Sequence, residues 1–263
     1  MKYLRYECEK DGKAGYGLLQ GGDSIRAVEG DLFGEFEVTD RLLPLGGVKL
    51  LAPVFPPNII AIGLNYRDHA AESGAPIPKK PLIFMKATSS VAAHGDPIRL
   101  PAEAPGEVDY EAELAVVIKK AAHAVEEADA GDYILGYACG NDVSARDCQL
   151  RLDSQWARGK SFDTFCPIGP CIETELDPGR LAIRSRVNGR IMQDGSTADM
   201  VFSANKLVSY CSKNMTLLPG TVIMTGTPNG VGFARNPPVF LKEGDVVEIE
   251  IEGIGVLRNP VAR

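Results

Sequence analysis

Residues 108–120 read VDYEAELAVVIKK. The run looks like a β-strand that continues into AVVI, yet it carries Glu111 and Glu113 with a single residue between them. Side chains alternate along a strand. Val108, Tyr110, Ala112, Leu114, Val116 and Ile118 therefore form one apolar face. Both glutamates point to the other side, about 7 Å apart by the strand rise. Lys119 comes too late to pair with both. Two like charges held this close repel unless a cation lies between them or one carboxylate takes a proton. Burial raises that cost. Taken alone, the strand reads as solvent-facing with two exposed acids, which is where acids usually sit.

Asp142 argues the other way. It ends YILGYACGND, an apolar strand, and a carboxylate where a buried strand stops is well placed to join a site. Three carboxylates without His or Cys make an all-oxygen site, which suits Mg²⁺ or Mn²⁺. In NYRDHAAESG, residues 65–74, His69 and Glu72 are three apart and share a helical face. The pair is either a general base with its orienting carboxylate or an ordinary surface contact. ARDCQ supplies Arg146 and Gln149, and GKSFDTFCP supplies Lys160. Such cations suit a carboxylate-bearing substrate, though each alone reads as a surface ion pair. TGTPNGVG, 225–232, lacks the GK[ST] ending of a phosphate loop and no helix follows it. It can still bring backbone N–H groups and Thr227 near an anion. There is no nucleophile elbow, no H-E-x-x-H and no dinucleotide fingerprint.

The rest of the chain sets the frame. A formal charge of −7 over 263 residues argues against nucleic acid or an anionic membrane as partner. No apolar run reaches the roughly 18 residues of a spanning helix, and MKYLRYECEKDGK has no signal-peptide core. Six scattered cysteines without a C-x-x-C pair read as reduced, mostly buried thiols of a cytoplasmic protein. Short strands separated by Gly-rich turns fill the first 50 residues, and APVFPPN, 52–58, is a stiff link. The expected division is a small N-terminal β-rich domain, 1–55, and a catalytic domain, 56–263. Strands are expected at 59–64, 81–87 and 108–118, with hairpins over 181–193 and 246–257. Asn188-Gly189 supplies the first hairpin's turn. Helical segments are expected near 126–132, near 143–152 and near 205–213, the last capped by Ser203. The fold class is α+β and β-rich. GAPIPKKP, 74–81, is either a mobile lid or an ordinary surface loop.

Taken together and in order, IGLNYRDHAAE, DYEAELAVVI, GNDVSARDCQ, GKSFDTFCPIGP, VNGRIMQDGSTADMVFS and TGTPNGVG resemble the fumarylacetoacetate hydrolase family over roughly residues 57–261. The likeness extends to its acylpyruvase and 2-hydroxyhepta-2,4-diene-1,7-dioate isomerase-like members. The resemblance implies a mixed β-roll, a homodimer and a divalent metal, Mg²⁺ or Mn²⁺, held by Glu111, Glu113 and Asp142. It implies that His69 and Glu72 activate water and that Lys160 and Gln149 sit near the bound substrate. Arg146 and Thr227 match positions that contact substrate in relatives. It also implies a 2-oxo acid substrate. The leading expectation is hydrolytic C–C cleavage of a 2,4-dioxo acid of acylpyruvate or fumarylpyruvate type, as in aromatic catabolism, through a metal-bound enolate. Pyruvate and a carboxylic acid would be the products. The alternatives are oxaloacetate decarboxylation or 2-oxo acid isomerisation and tautomerisation on the same site, and a non-catalytic metal-binding member.

Overall fold

The computed structural model describes residues 1–263. Its central strand is Ala112–Ile118, buried on both faces. Leu114, Val116 and Ile118 pack into one apolar cluster, along with Val108, Tyr110 and Ala112. Ala115 and Val117 face a second cluster with Ala138, Val222 and Met224. The even-numbered apolar face read from sequence is therefore real. The odd-numbered face is interior as well, so the reading of exposed acids is overturned: Glu111 and Glu113 are 5% and 2% exposed.

Ala112–Ile118 runs antiparallel to Ile134–Asn141 on one side and to Val222–Met224 on the other. Val222–Met224 lies parallel to Ile59–Gly63, and Leu82–Lys86 closes that edge antiparallel. In the other direction Ile134–Asn141 pairs with Cys166–Glu173, which pairs with Lys2–Cys8. The strands Ala14–Gln20, Ser24–Gly30 and Phe36–Pro44 follow, and Val48–Leu51 beside Lys2–Cys8 and Val91–Ala92 beside Cys166–Glu173 complete a 12-stranded sheet, so the N-terminal strands extend the central one. A five-stranded sheet, built on Ala182–Val187, Val246–Ile251 and Gly255–Ala262, covers one face. Its Ile183, Ile249, Ile251 and Leu257 share a cluster with Leu114, Val116 and Ile118. With parallel and antiparallel pairs in the sheets and few, short helices, the fold is strand-rich α+β.

Local chemistry explains the punctuation. Asn188 and Gly189 adopt φ of 53° and 77°, the left-handed pair a tight hairpin needs. Ser203 caps the helix Ala204–Asn214 by accepting the Lys206 N–H. Residues 52–58 carry no helix or strand, as three prolines dictate. The expected helical segment at 143–152 needs correction. Ser144–Ala145 is extended and pairs with Val108–Asp109, and a π-helical turn occupies Cys148–Leu152. Asp147 starts that turn by accepting the Cys148 N–H at 2.7 Å. No helix is long and apolar enough to cross a membrane. All six cysteines are free.

Candidate metal and acid–base site

The register that pairs Ala112 with Asn141 sets Glu111 opposite Asp142, just where the two central strands stop pairing. The Asp142 N–H donates to the Glu111 carbonyl at 2.9 Å, and Asn141 Oδ1 accepts the Glu111 N–H at 3.0 Å. Glu113 lies two residues along the same face. The carboxylate oxygens of Glu111, Glu113 and Asp142 approach within 4.8 Å of one another.

Three buried cations surround them. Lys160 Nζ, from the short helix Ala157–Lys160, lies 2.8 Å from Glu111 Oε2 and 2.7 Å from Asp142 Oδ2. Lys86 Nζ, from the edge strand, reaches Asp142 Oδ1 at 2.5 Å and donates to the Lys160 carbonyl. Arg146 Nη2 bridges Glu111 Oε1 at 2.7 Å and Asp109 Oδ2 at 2.8 Å. Arg146 Nη1 donates to Gln149 Oε1 at 2.8 Å. Against these three cations stand four buried carboxylates, Asp109, Glu111, Glu113 and Asp142, leaving one negative charge in excess.

The excess falls on Glu113. Burial, then Asp142 and Glu111, push its carboxyl well above the ordinary range. Burial also works against ionisation of Glu111, but Lys160 first, then Arg146 and His69, outweigh it and hold that carboxyl low. Burial opposes the Lys160 charge too, and Asp142 and Glu111 overcome it, so its ammonium is held above the usual lysine value. An all-oxygen cluster with an uncompensated charge is a fit for a divalent cation. Such an ion would reverse the local sign and leave the site attractive to an anion.

The Gly-rich loop does approach anions, and they are the protein's own. The Gly226 N–H donates to Glu113 Oε2 at 2.8 Å. The Gly230 N–H donates to both oxygens of Glu72, at 2.9 and 3.0 Å. The Gly232 and Phe233 N–H groups donate to Asp109 at 2.7 and 3.0 Å. One loop thus touches three acids on three different elements. His69, from the helix Arg67–Glu72, is 7% exposed, and its Nδ1 stands 3.4 Å from Glu72 Oε2. Thr227 Oγ1 accepts from Gln193 Nε2 at 2.7 Å.

These groups enclose a cavity of about 380 Å³. His69, Glu111, Glu113, Asp142, Arg146, Gln149, Lys160 and Thr227 all line it, while Glu72 stands behind His69. Ile62, Leu64, Phe84, Leu150, Trp156 and Phe233 form its apolar wall. All nine residues singled out in the sequence are therefore brought together. Asp109 and Lys86 were missed. Both carried a readable signal: Asp109 alternates in phase with Glu111 and Glu113, and Lys86 is a charge at the end of the apolar strand PLIFMK.

The model of the fumarylacetoacetate (FAA) hydrolase C-terminal family matches residues 58–262. The chain belongs to the fumarylacetoacetate hydrolase family. A second model, Rv2993c-like N-terminal, matches residues 1–53. The chain is 50% identical over 226 residues to the mitochondrial oxaloacetate tautomerase fahd2 of Xenopus laevis, covering 84% of this chain and 70% of that protein. A solved structure of 5-carboxymethyl-2-hydroxymuconate delta-isomerase from Mycobacterium smegmatis superposes with a TM-score of 0.90 at 42% identity, covering 100% of both chains. A fumarylacetoacetate hydrolase from Exiguobacterium antarcticum does so with a TM-score of 0.89 at 40% identity, again over 100% of both. Membership of this family makes the chain one of a group of enzymes, and the buried acidic triad is a place where a divalent metal could be held.

Proposed function

We propose that this chain is a divalent-metal-dependent tautomerase that interconverts the enol and keto forms of a small 2-oxo dicarboxylic acid, oxaloacetate being the first to test. The observation that carries the reading is the Lys160 ammonium, set between Glu111 and Asp142 on the wall of the same cavity that His69 lines. Relatives named oxaloacetate tautomerase, 50% and 48% identical to this chain over 226 and 224 aligned residues, support it. Glu111, Glu113 and Asp142 would hold Mg²⁺ or Mn²⁺, which when bound supplies Lewis-acid polarisation of a 2-oxo acid.

The remaining steps belong to side chains. Lys160 gives two hydrogen bonds to carboxylates, so its third N–H is free for the C2 oxygen as negative charge grows there. His69 turns Nδ1 toward Glu72, which leaves Nε2 for the cavity. Nε2 takes the proton of the enol hydroxyl, and the imidazolium returns a proton to C3. Nothing leaves and no water is consumed. Gln149, Thr227 and the remaining Nη1 hydrogen of Arg146 are the groups proposed to hold the substrate's carboxylates.

The His69–Glu72 contact favours a second reading, C–C hydrolysis of an acylpyruvate-like 2,4-dioxo acid. His69 would then deprotonate a water that attacks the C4 carbonyl. A proton NMR time course with Mg²⁺ separates the two, using oxaloacetate in one tube and acetylpyruvate in another, each with a chelator control. Chelator-sensitive enol–keto exchange of oxaloacetate, without acetate from acetylpyruvate, is the expected result. Acetate and pyruvate from the second tube would move the assignment to the hydrolase. Loss of CO₂ from the first would move it to a decarboxylase.

A further inference from the structure

Asp109 ends the two-residue strand Val108–Asp109 and is completely buried. It lies two residues before Glu111 in the sequence, yet its carboxylate is already fully used. Oδ1 accepts the N–H of Tyr110 at 2.8 Å and of Gly232 at 2.7 Å. Oδ2 accepts the N–H of Phe233 at 3.0 Å and Arg146 Nε at 2.9 Å, and lies 2.8 Å from Arg146 Nη2. A carboxylate offers about four lone-pair sites. This one has none left for a ligand.

What Asp109 holds is Arg146. The Phe233 ring, placed by the same carboxylate, lies 4.4 Å from the Arg146 guanidinium carbon. Arg146 Nε donates to Asp109 Oδ2, and Nη2 makes close ion-pair contacts rather than aligned hydrogen bonds, 2.8 Å from Asp109 Oδ2 and 2.7 Å from Glu111 Oε1. Lys160 takes the other oxygen of Glu111. A glutamate has three rotatable side-chain bonds, and these two contacts fix the plane of its carboxylate. Arginine suits this relay because its rigid planar fork serves two acids at once, which a lysine point charge does not.

We propose that Asp109 is a positioning residue for metal binding, acting through Arg146 to set the orientation of Glu111. This rests on reading Glu111, Glu113 and Asp142 as the metal site. Partners one step behind a ligand typically change metal affinity about 10–100-fold.

The test is a calorimetric titration of Mn²⁺ into the wild type, Asp109→Asn, Arg146→Lys and the double variant, with thermal unfolding of each metal-free protein recorded alongside. Each single change is expected to weaken Mn²⁺ binding about 10-fold. The double variant is expected to bind no more weakly than the worse single one, because both changes cut one relay. A residue that only supports the fold would lower the Tm and leave Mn²⁺ affinity alone, and that result would overturn the proposal. Losses that multiply in the double variant would also overturn it. If Asp109→Asn does not fold, unchanged Mn²⁺ affinity in Arg146→Lys overturns it by itself. A wild type that takes up no Mn²⁺ refutes the metal site and the proposal together, whereas equal binding by wild type and Asp109→Asn refutes the proposal alone.

Discussion

The Glu72 carboxylate accepts the Gly230 N–H through both of its oxygens. Gly230 sits at φ +98°, and a Cβ there would lie 2.3 Å from the Met192 carbonyl oxygen. Only glycine fits that backbone. The carboxylate facing His69 is thus fixed by the loop that also holds Glu113 and Asp109. This joins the acid–base half of the cavity to its carboxylate half through main-chain N–H groups.

His69 and Glu72 are expected to matter unequally. His69→Ala should lower kcat for enol–keto exchange by about 10²–10⁴-fold, the usual worth of a placed acid–base group. Glu72→Gln keeps an acceptor for Gly230 but no charge for the imidazolium, and should cost less. Steady-state kinetics with freshly dissolved enol oxaloacetate measures both. Mn²⁺ affinity should hold in each variant, so that loss of metal in His69→Ala would count against the division of labour.

Glu113→Gln should stabilise the metal-free protein while destroying the site. A carboxyl raised above its ordinary value of 4.5 binds more protons folded than unfolded. Its contribution therefore falls as pH rises from that value through the folded one, and is fully unfavourable above. The Tm advantage of metal-free Glu113→Gln over wild type should widen from about pH 5 to pH 8, at about 2–4 °C per kcal/mol for a chain of this size. Mn²⁺ should reverse the order by stabilising only the wild type. Calorimetric scans at the two pH values give both signs.

Lys86→Met should be costly although Lys86 does not line the cavity. It strands Asp142 with Lys160 alone and removes a donor from the Lys160 carbonyl. Breaking a buried ion pair on one side typically costs about 3–5 kcal/mol. Denaturant unfolding of the metal-free protein should show a loss of that order, with part of it recovered at saturating Mg²⁺.

Trp156 should set the length of the substrate. It packs edge-on against Phe84, ring centroids 5.5 Å apart, and both line the cavity. Trp156→Ala opens that wall and should shift kcat/KM from oxaloacetate toward a 2-oxo acid with a longer apolar tail. The ratio between the two should change by at least about 10-fold. Competition assays with both acids present read that ratio directly.

Period-2 alternation was enough to find the central strand, because Val108 through Ile118 keep their apolar side toward one cluster without a break. It could not say that the other side is interior too, since Ala115 and Val117 are covered by strands distant in sequence. The same rule carried two residues back from Glu111 would have included Asp109. The nine site residues were legible because the ordered motifs resemble a known family, and spacing alone left each of them open. The hydrogen bonds from Gly226, Gly230 and Gly232 were not legible. A glycine shows that a backbone can come close, but which acid it meets depends on how far-separated strands pack.

The measurement closest to the central claim is the decay of enol oxaloacetate to its keto form by wild type and Glu113→Gln, each with Mg²⁺ and with a chelator. Rapid, chelator-sensitive decay with wild type, and only the uncatalysed rate with Glu113→Gln, is the predicted result. Equal acceleration by the chelated wild type, or by Glu113→Gln, would contradict a metal-dependent tautomerase built on Glu111, Glu113 and Asp142.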